Sequence, residues 1–348
     1  MLGQIEITFW HWAGFVLAVL FFLALDLGVF HRKAHAVKFK EALGWTILWM
    51  SLALAFAAAL VPLRGREEAI LFVTGYVVEL SLSMDNVFVI ALIFAYFRVP
   101  AEYQHRVLFW GIVGALVMRG AMIGVGVTLI KHFQWLLYVF GAFLLFTGVK
   151  MFFADEEGVH PEKNPLIKLA RRFFPVTTAF DGQKFITLRE HGEAATDKAH
   201  FARYAGRYAL TPLALVLLMV ETTDLIFALD SIPAIFGITQ EPFIVFTSNV
   251  FAILGLRSLY FVLAGAIGYF RYLKYGLSLV LVFIGVKMLI DPHGRDPEWW
   301  QFKIPTGASL SIVGGIILLS VAVSILAAQR ERQEKKDSPK DNRPPKDG

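Results

Sequence analysis

Two sets of oxygen-bearing side chains, Glu79, Asp85, Asn86 and Asp224, Asp230, Ser231, lie inside apolar runs long enough to cross a bilayer. There they can bind a hard cation or carry protons. Glu79 to Val87 reads ELSLSMDNV and Asp224 to Ile232 reads DLIFALDSI. In each, an acid is followed six residues later by Asp and then by a small polar residue. A charged side chain at the centre of a membrane helix costs roughly 2.5–3.5 kcal/mol on insertion scales, so a chain that does this repeatedly is using those charges. Glu221 stands three residues before Asp224 and shares its helix face. Asp26 sits in an earlier apolar run. Against these six acids only Arg119 and Arg257 are basic partners at depth, because Lys150 and Lys287 fall near span ends and can snorkel. The formal charge of those eight residues is −4, a surplus that protons or bound cations must remove.

The donors are carboxylate, amide and hydroxyl oxygens, which suit Mg²⁺, Mn²⁺ or Ca²⁺ rather than copper or zinc. No cysteine is present, which excludes disulfides, thiolate metal sites and thiol redox chemistry in this chain. Met84, beside Asp85, offers a soft thioether that would favour Mn²⁺ over Mg²⁺; simple packing is its other reading. Asn249 reads as an interhelical hydrogen-bonder, and Arg119 and Arg257 as structural counter-charges rather than gating groups. Internal ion pairing to those two arginines is the alternative role for the acids. Residues six apart, such as Asp224 and Asp230, diverge by roughly 120° on a regular helix, so their convergence requires unwinding. Pro233 supplies a cause in the second motif, since it cannot donate to the Leu229 carbonyl. A break near Met84 to Asn86 follows only by symmetry.

The elements that must position these groups are membrane helices. With 57% hydrophobic and 18% charged residues, the 348-residue chain is no ordinary water-soluble domain. Apolar runs predict nine spans, near 11–30, 42–62, 69–97, 107–130, 135–153, 208–238, 244–268, 273–290 and 306–328. Lys and Arg number 24 in the connections that would face the cytoplasm if the N-terminus is outside, against five in the opposite set. The expected orientation is therefore N-terminus out and C-terminus in, with the basic pI reflecting contact with the inner leaflet rather than nucleic acid. The first apolar run has nothing basic before it and His31-Arg32-Lys33 after it, so it reads as an uncleaved span rather than a signal peptide.

The predicted organisation is two N-terminal spans in 1–68, a three-helix unit at 69–153, a hydrophilic cytoplasmic insert at 154–207, a second three-helix unit at 208–290, a last span within 291–328 and a disordered tail at 329–348. Within the insert, Val176 to Leu188 reads as a hairpin turning at Asp181-Gly182, part of a folded cap or docking surface. The two units are copies of one another. Behind the acidic motifs, Val107, Leu116 and Arg119 align with Val245, Leu254 and Arg257, and GVKM at 148–151 recurs at 285–288. Three helices per copy put an odd number of crossings between equivalent residues, so the copies run in opposite directions, as in many secondary transporters.

ELSLSMDNVFV at 79–89, YVFGAFLLFTGVKM at 138–151, VETTDLIFALDSIPAIF at 220–236 and FTSNVFAILGLRSLYF at 246–261 resemble the TerC family of bacterial integral membrane proteins, its Alx-like branch in particular. The resemblance runs from about Asp26 to Met288. It implies a place in the bacterial inner membrane within a wider group of LysE-like transporters, and export of Mn²⁺; older labels invoke tellurite resistance or redox modulation. The family's acidic pattern falls on Glu79, Asp85, Asn86, Glu221, Asp224, Asp230 and Ser231, with Asp26, Met84, Asn249, Arg119 and Arg257 as accessory candidates. The expected partners are a divalent ion as cargo and the lipid bilayer, with no tightly bound cofactor. The competing reading is a membrane scaffold or stress-response component whose buried acids are structural. No nucleophile–base pair or cofactor fingerprint accompanies the acids, so an enzyme is not expected.

Overall fold

The computed structural model describes residues 6–25, 39–153, 164–177, 179–188, 208–264, 273–292, 299 and 301–337. Its helices are α1 (Phe9–Leu25), α2 (Phe39–Arg64), α3 (Arg66–Tyr96), α4 (Ala101–His132), α5 (Leu136–Phe153), the short α6 (Pro165–Phe173), α7 (Pro212–Phe236), α8 (Pro242–Ala264), α9 (Leu273–Ile290) and α10 (Thr306–Asp337). Among the described residues, eight of these are long and apolar enough to cross a membrane, and α1 is a shorter apolar helix. Serine and threonine hydroxyls inside them return to carbonyls one turn back, as Thr74 does to Ile70, Ser81 to Val77 and Thr222 to Leu218. These three hydroxyls are thereby satisfied within their own helices, as the absence of water in a bilayer favours.

Helices α3–α5 and α7–α9 interleave about an approximate two-fold relation. α5 packs along α9, α3 along α8 and α4 along α7, so the principal contacts cross from one repeat to the other. The first pair is antiparallel: Gly141 meets Gly285 and Met288, while Gly148 meets Ser278 and Val282. Since α5 and α9 are equivalent helices of the two copies, their opposite directions establish the inverted repeat. The remaining pairs run parallel, with Phe72 near Phe251 and Phe94 near Tyr260 for α3 and α8, and Gly111 near Val220 and Gly126 near Phe236 for α4 and α7. Helices α1, α2 and α10 flank this core and turn large apolar side chains outward, among them Leu17, Leu54 and Leu318. Such a surface is suited to lipid.

The glycine of each GVKM copy marks the place where α5 and α9 touch backbone to backbone. A Cβ on Gly285 would lie 2.7 Å from the Leu145 nitrogen and 2.8 Å from the Gly141 carbonyl oxygen, and one on Gly148 would lie 2.9 Å from the Ser278 carbonyl oxygen. Small residues let membrane helices approach this closely and gain dispersion contact. Gly285→Ala should therefore force the helices apart and lower the thermal midpoint of the solubilised protein, at a cost of about 1–3 kcal/mol. Gly124→Ala, in open space on α4, is the control and should be neutral or slightly stabilising. Equal midpoints for the two variants would refute the close approach.

Three expectations are corrected. α3 is one uninterrupted helix across Met84 to Asn86, and α7 continues through Pro233, so neither motif helix is broken. Pro233 removes a single hydrogen bond, which the packed surroundings tolerate. The turn at Asp181 forms, with Gly182 at φ 52° and the Lys184 amide donating to the Asp181 carbonyl at 3.1 Å, yet among the described residues the runs on either side of it do not pair with each other. Strand β1 (Ile186–Leu188) pairs antiparallel with β2 (Tyr208–Leu210), and Val176 bridges Leu210 in parallel, so β2 lies between them. A distant strand outcompetes the local hairpin. Finally, α10 continues to Asp337 instead of ending at Ala328, because Gln329 to Lys336 is composed of strong helix formers. Most of the insert at 154–207, the tail beyond Asp337 and Asp26 lie outside the described residues.

Candidate functional site

Arg119 is the centre of the site. It lies midway along α4 and is 2% exposed, the largest fully buried side chain among the described residues. Its Nε donates to Asp224 Oδ2 at 3.1 Å and its Nη2 to Asp224 Oδ1 at 2.8 Å, a two-pronged grip that matches guanidinium to carboxylate geometry. Nη1 donates to Glu79 Oε1 and, at 3.3 Å, to Ser231 Oγ. Asn86 Nδ2 completes the circle with a bond to Asp224 Oδ1 at 3.3 Å. Glu79 and Asn86 come from α3, Asp224 and Ser231 from α7, and the cation from α4. The two acids that begin the two motifs are therefore neighbours, one from each repeat, at the pseudo-symmetric interface.

The helices put them there by register. α3 and α7 cross at their buried faces, and Asn86, seven residues after Glu79, and Ser231, seven after Asp224, return to the same face after two turns. Asn249 of α8 is 1% exposed and adjoins Glu79, though neither of its amide atoms completes a hydrogen bond. Glu79 Oε2 and Asn86 Oδ1 are likewise buried acceptors without a donor. The cluster thus combines two carboxylates and one guanidinium, a formal charge of −1, with amide and hydroxyl oxygens around them and several oxygen lone pairs unused.

The remaining sequence candidates are distributed around this centre. Glu221, one turn before Asp224, is part-buried, and its carboxylate fills the space that a side chain at Gly114 of α4 would need. Asp85 and Asp230 leave the centre because each follows its partner by six residues on an unbroken helix. Asp85 is half-buried within electrostatic reach of Lys274 at the start of α9, and Asp230 is half-buried with Thr147 of α5 as a polar neighbour. Among the described residues no three acids or histidines approach closely enough to share one ion, so the seven-residue set does not form a single carboxylate cage. Met84 packs against the apolar cluster that includes Val87 and Ile90 and takes no part in the centre. Arg257, the counterpart of Arg119, is buried on α8.

Sequence reasoning missed Lys274, Thr147 and Gly114 as neighbours of the acids. Gly114 carried no signal beyond its small size, and Lys274 was legible only as a basic residue at a span end. Thr147 immediately precedes GVKM, but the repeat offers no hydroxyl at the corresponding position, Ile284.

Residues 64–336 match the family described as Integral membrane protein TerC family. The chain is 51% identical over 329 residues to the uncharacterized membrane protein STKORF319 of Myxococcus xanthus, covering 94% of this chain and 96% of that one. It is 44% identical over 333 residues to a protein of Escherichia coli (strain K12) called membrane-bound redox modulator Alx, covering 93% and 97%. An uncharacterized membrane protein of Rickettsia bellii (strain RML369-C) is 36% identical over 315 residues, covering 90% and 97%. No solved structure matches the chain significantly.

Proposed function

The chain belongs to the TerC family of integral membrane proteins, and from that premise we propose that it exports a hard divalent cation, Mn²⁺ first among the candidates, through the interface of its inverted repeats. One observation carries the reading: Glu79 and Asp224, a buried carboxylate from each repeat, meet around a single arginine. Secondary transporters with inverted repeats place their site on that axis. A scaffold gains nothing from a buried −1 cluster with unused oxygen acceptors, because each buried acceptor left unsatisfied costs about 1–3 kcal/mol.

Charge balance suggests how the site works. With Arg119 in place the two carboxylates hold one positive charge; with Arg119 withdrawn they match a divalent ion and the cluster becomes neutral. Arg119 is then the resident cation of the empty site and yields to cargo. Asn86, Ser231 and Asn249 supply neutral oxygens of the kind a hard ion accepts. Asp85 and Asp230 lie six residues, roughly 9 Å of helix rise, beyond the centre in opposite directions, because α3 and α7 run oppositely through the membrane. They are suited to receive the ion on one side and release it on the other. With no cysteine, the chain has no thiol to perform the redox chemistry in the Alx relatives' name.

The proposed orientation makes the loop between α7 and α8 extracytoplasmic. A C-terminal reporter should be cytoplasmic and a tag inserted between Gln240 and Glu241 should be accessible from outside; both tags on one side would contradict the positive-inside reading. The metal is tested by titrating purified protein at two pH values. Mn²⁺ should bind, Mg²⁺ should compete weakly because it sheds water reluctantly, and Zn²⁺ should not be preferred at a site without Cys or His. Affinity should fall at the acid pH, since protons and metal compete for the same carboxylates. Affinity that survives Glu79→Gln with Asp224→Asn would place the site elsewhere.

A further inference from the structure

The short helix α6 has a division of faces that the central site does not use. At 100° per residue, Leu166, Leu169 and Phe173 fall on one arc and Lys168, Arg171 and Arg172 on the opposite one. Both arcs are exposed: Leu169 is 49% and Phe173 61% accessible, and the three basic residues are open as well. Among the described side chains of α6, Ile167 is the buried one, 1% exposed and packed into the cluster that holds Leu213, Val216 and Met219 of α7.

The helix is also held firmly where it is. Asn164 accepts hydrogen bonds from the Leu166 and Ile167 amides at 2.9 and 3.3 Å, a cap that closes its N-terminus, and its own amide donates to Met219 Sδ at 3.1 Å. The cap therefore ties α6 to the first turns of α7, the helix that carries Asp224. A nine-residue helix is marginal in water on its own, so this attachment matters to its existence.

An exposed stripe of large apolar residues beside the end of a membrane span, backed by three cations, fits the membrane–water boundary better than free water. We propose that α6 is an interfacial helix that binds anionic phospholipid of the inner leaflet. Leu166, Leu169 and Phe173 sit among the acyl chains, while Lys168, Arg171 and Arg172 meet the headgroup phosphates. The charge complementarity selects lipid over a protein partner, because the cytoplasmic surface of the membrane is negative and no partner need be recruited to cover the face. The proposal rests on the orientation given above and is independent of which ion is carried.

The absence of cysteine makes a direct test possible. Leu169→Cys and Phe173→Cys, each labelled with an environment-sensitive fluorophore in the full-length protein in liposomes, report the depth of the apolar arc; Lys184→Cys, in the exposed turn of the insert, is the aqueous control. Both labels should be blue-shifted and shielded from iodide relative to the control. Brominated phosphatidylglycerol should quench them several-fold more than brominated phosphatidylcholine at equal mole fraction. Replacing Lys168, Arg171 and Arg172 by Gln should bring that ratio close to one, since each cation near an anionic surface is worth about fivefold in binding. Labels as open to iodide as the control would overturn the proposal, as would shielded labels indifferent to both brominated lipids, the result expected of a protein-covered face. A headgroup preference unchanged by the triple substitution would overturn the assigned role of the cations. The Gln240 tag reports orientation separately, so a failure there is distinguishable from a failure of lipid binding.

Discussion

Replacing Arg119 with Met should destabilise the protein by about 3–5 kcal/mol, the usual penalty for removing one partner from a buried charge pair. Two carboxylates, Glu79 and Asp224, would then face each other at mid-membrane, with the Asn86 amide still donating to Asp224 and the Ser231 hydroxyl relieved of its bond from Arg119. The chain should respond by losing membrane-inserted protein and by a lowered thermal midpoint. Adding Asp224→Asn to Arg119→Met should recover much of the loss, because the remaining charge is halved and the pair no longer repels. That non-additivity distinguishes an electrostatic role from a packing one. Arg119→Met with the stability of the parent protein would show that Arg119 does not hold the two carboxylates together. Arg119→Lys should fall between the two, since an ammonium keeps the charge but cannot grip Asp224 at both oxygens.

Asp224→Asn in an otherwise unchanged protein should all but abolish Mn²⁺ efflux while leaving folded protein in the membrane. Arg119 still has Glu79, the volume is unchanged, and the centre passes from −1 to neutral, so folding loses little. The cargo loses one of the two charges that would balance it. Groups that merely orient metal ligands cost 10–100-fold when removed, so a ligand carboxylate should cost roughly 100-fold or more. The measurement is uptake of dye-reported Mn²⁺ into inverted vesicles, with and without a pH gradient. Asp85→Asn and Asp230→Asn should reduce the rate by less, as befits groups on the path rather than at the centre. Full-rate transport by Asp224→Asn would sink the site assignment, and equal losses at all three positions would argue against a single central site.

The helices, the repeat and the available chemistry were legible from residue order and type. Long apolar runs can only be spans, because a bilayer leaves no alternative for the backbone. The recurrence of the acidic motifs and of GVKM, combined with three helices per copy, required the copies to be inverted, and α5 against α9 shows it. Residue types alone made oxygen the dominant donor, with Met84 the one thioether within the motifs. What the sequence could not determine was which acid faces which. Spacing along one helix fixes azimuth and depth, so it correctly says that Asp224 and Asp230 diverge; within a single motif their convergence requires a broken helix. The tertiary structure resolves the problem without a break, by crossing α3 over α7 so that Glu79 meets Asp224 from the other repeat, with Arg119 between them. The partner of a buried charge lies on another helix, more than a hundred residues away for Asp224 and Arg119, and no local pattern encodes that distance. The same holds for β1, which leaves its nearest run to pair with β2. Local propensity decides what an element is; packing of whole faces, settled only when all helices are in place, decides what it touches.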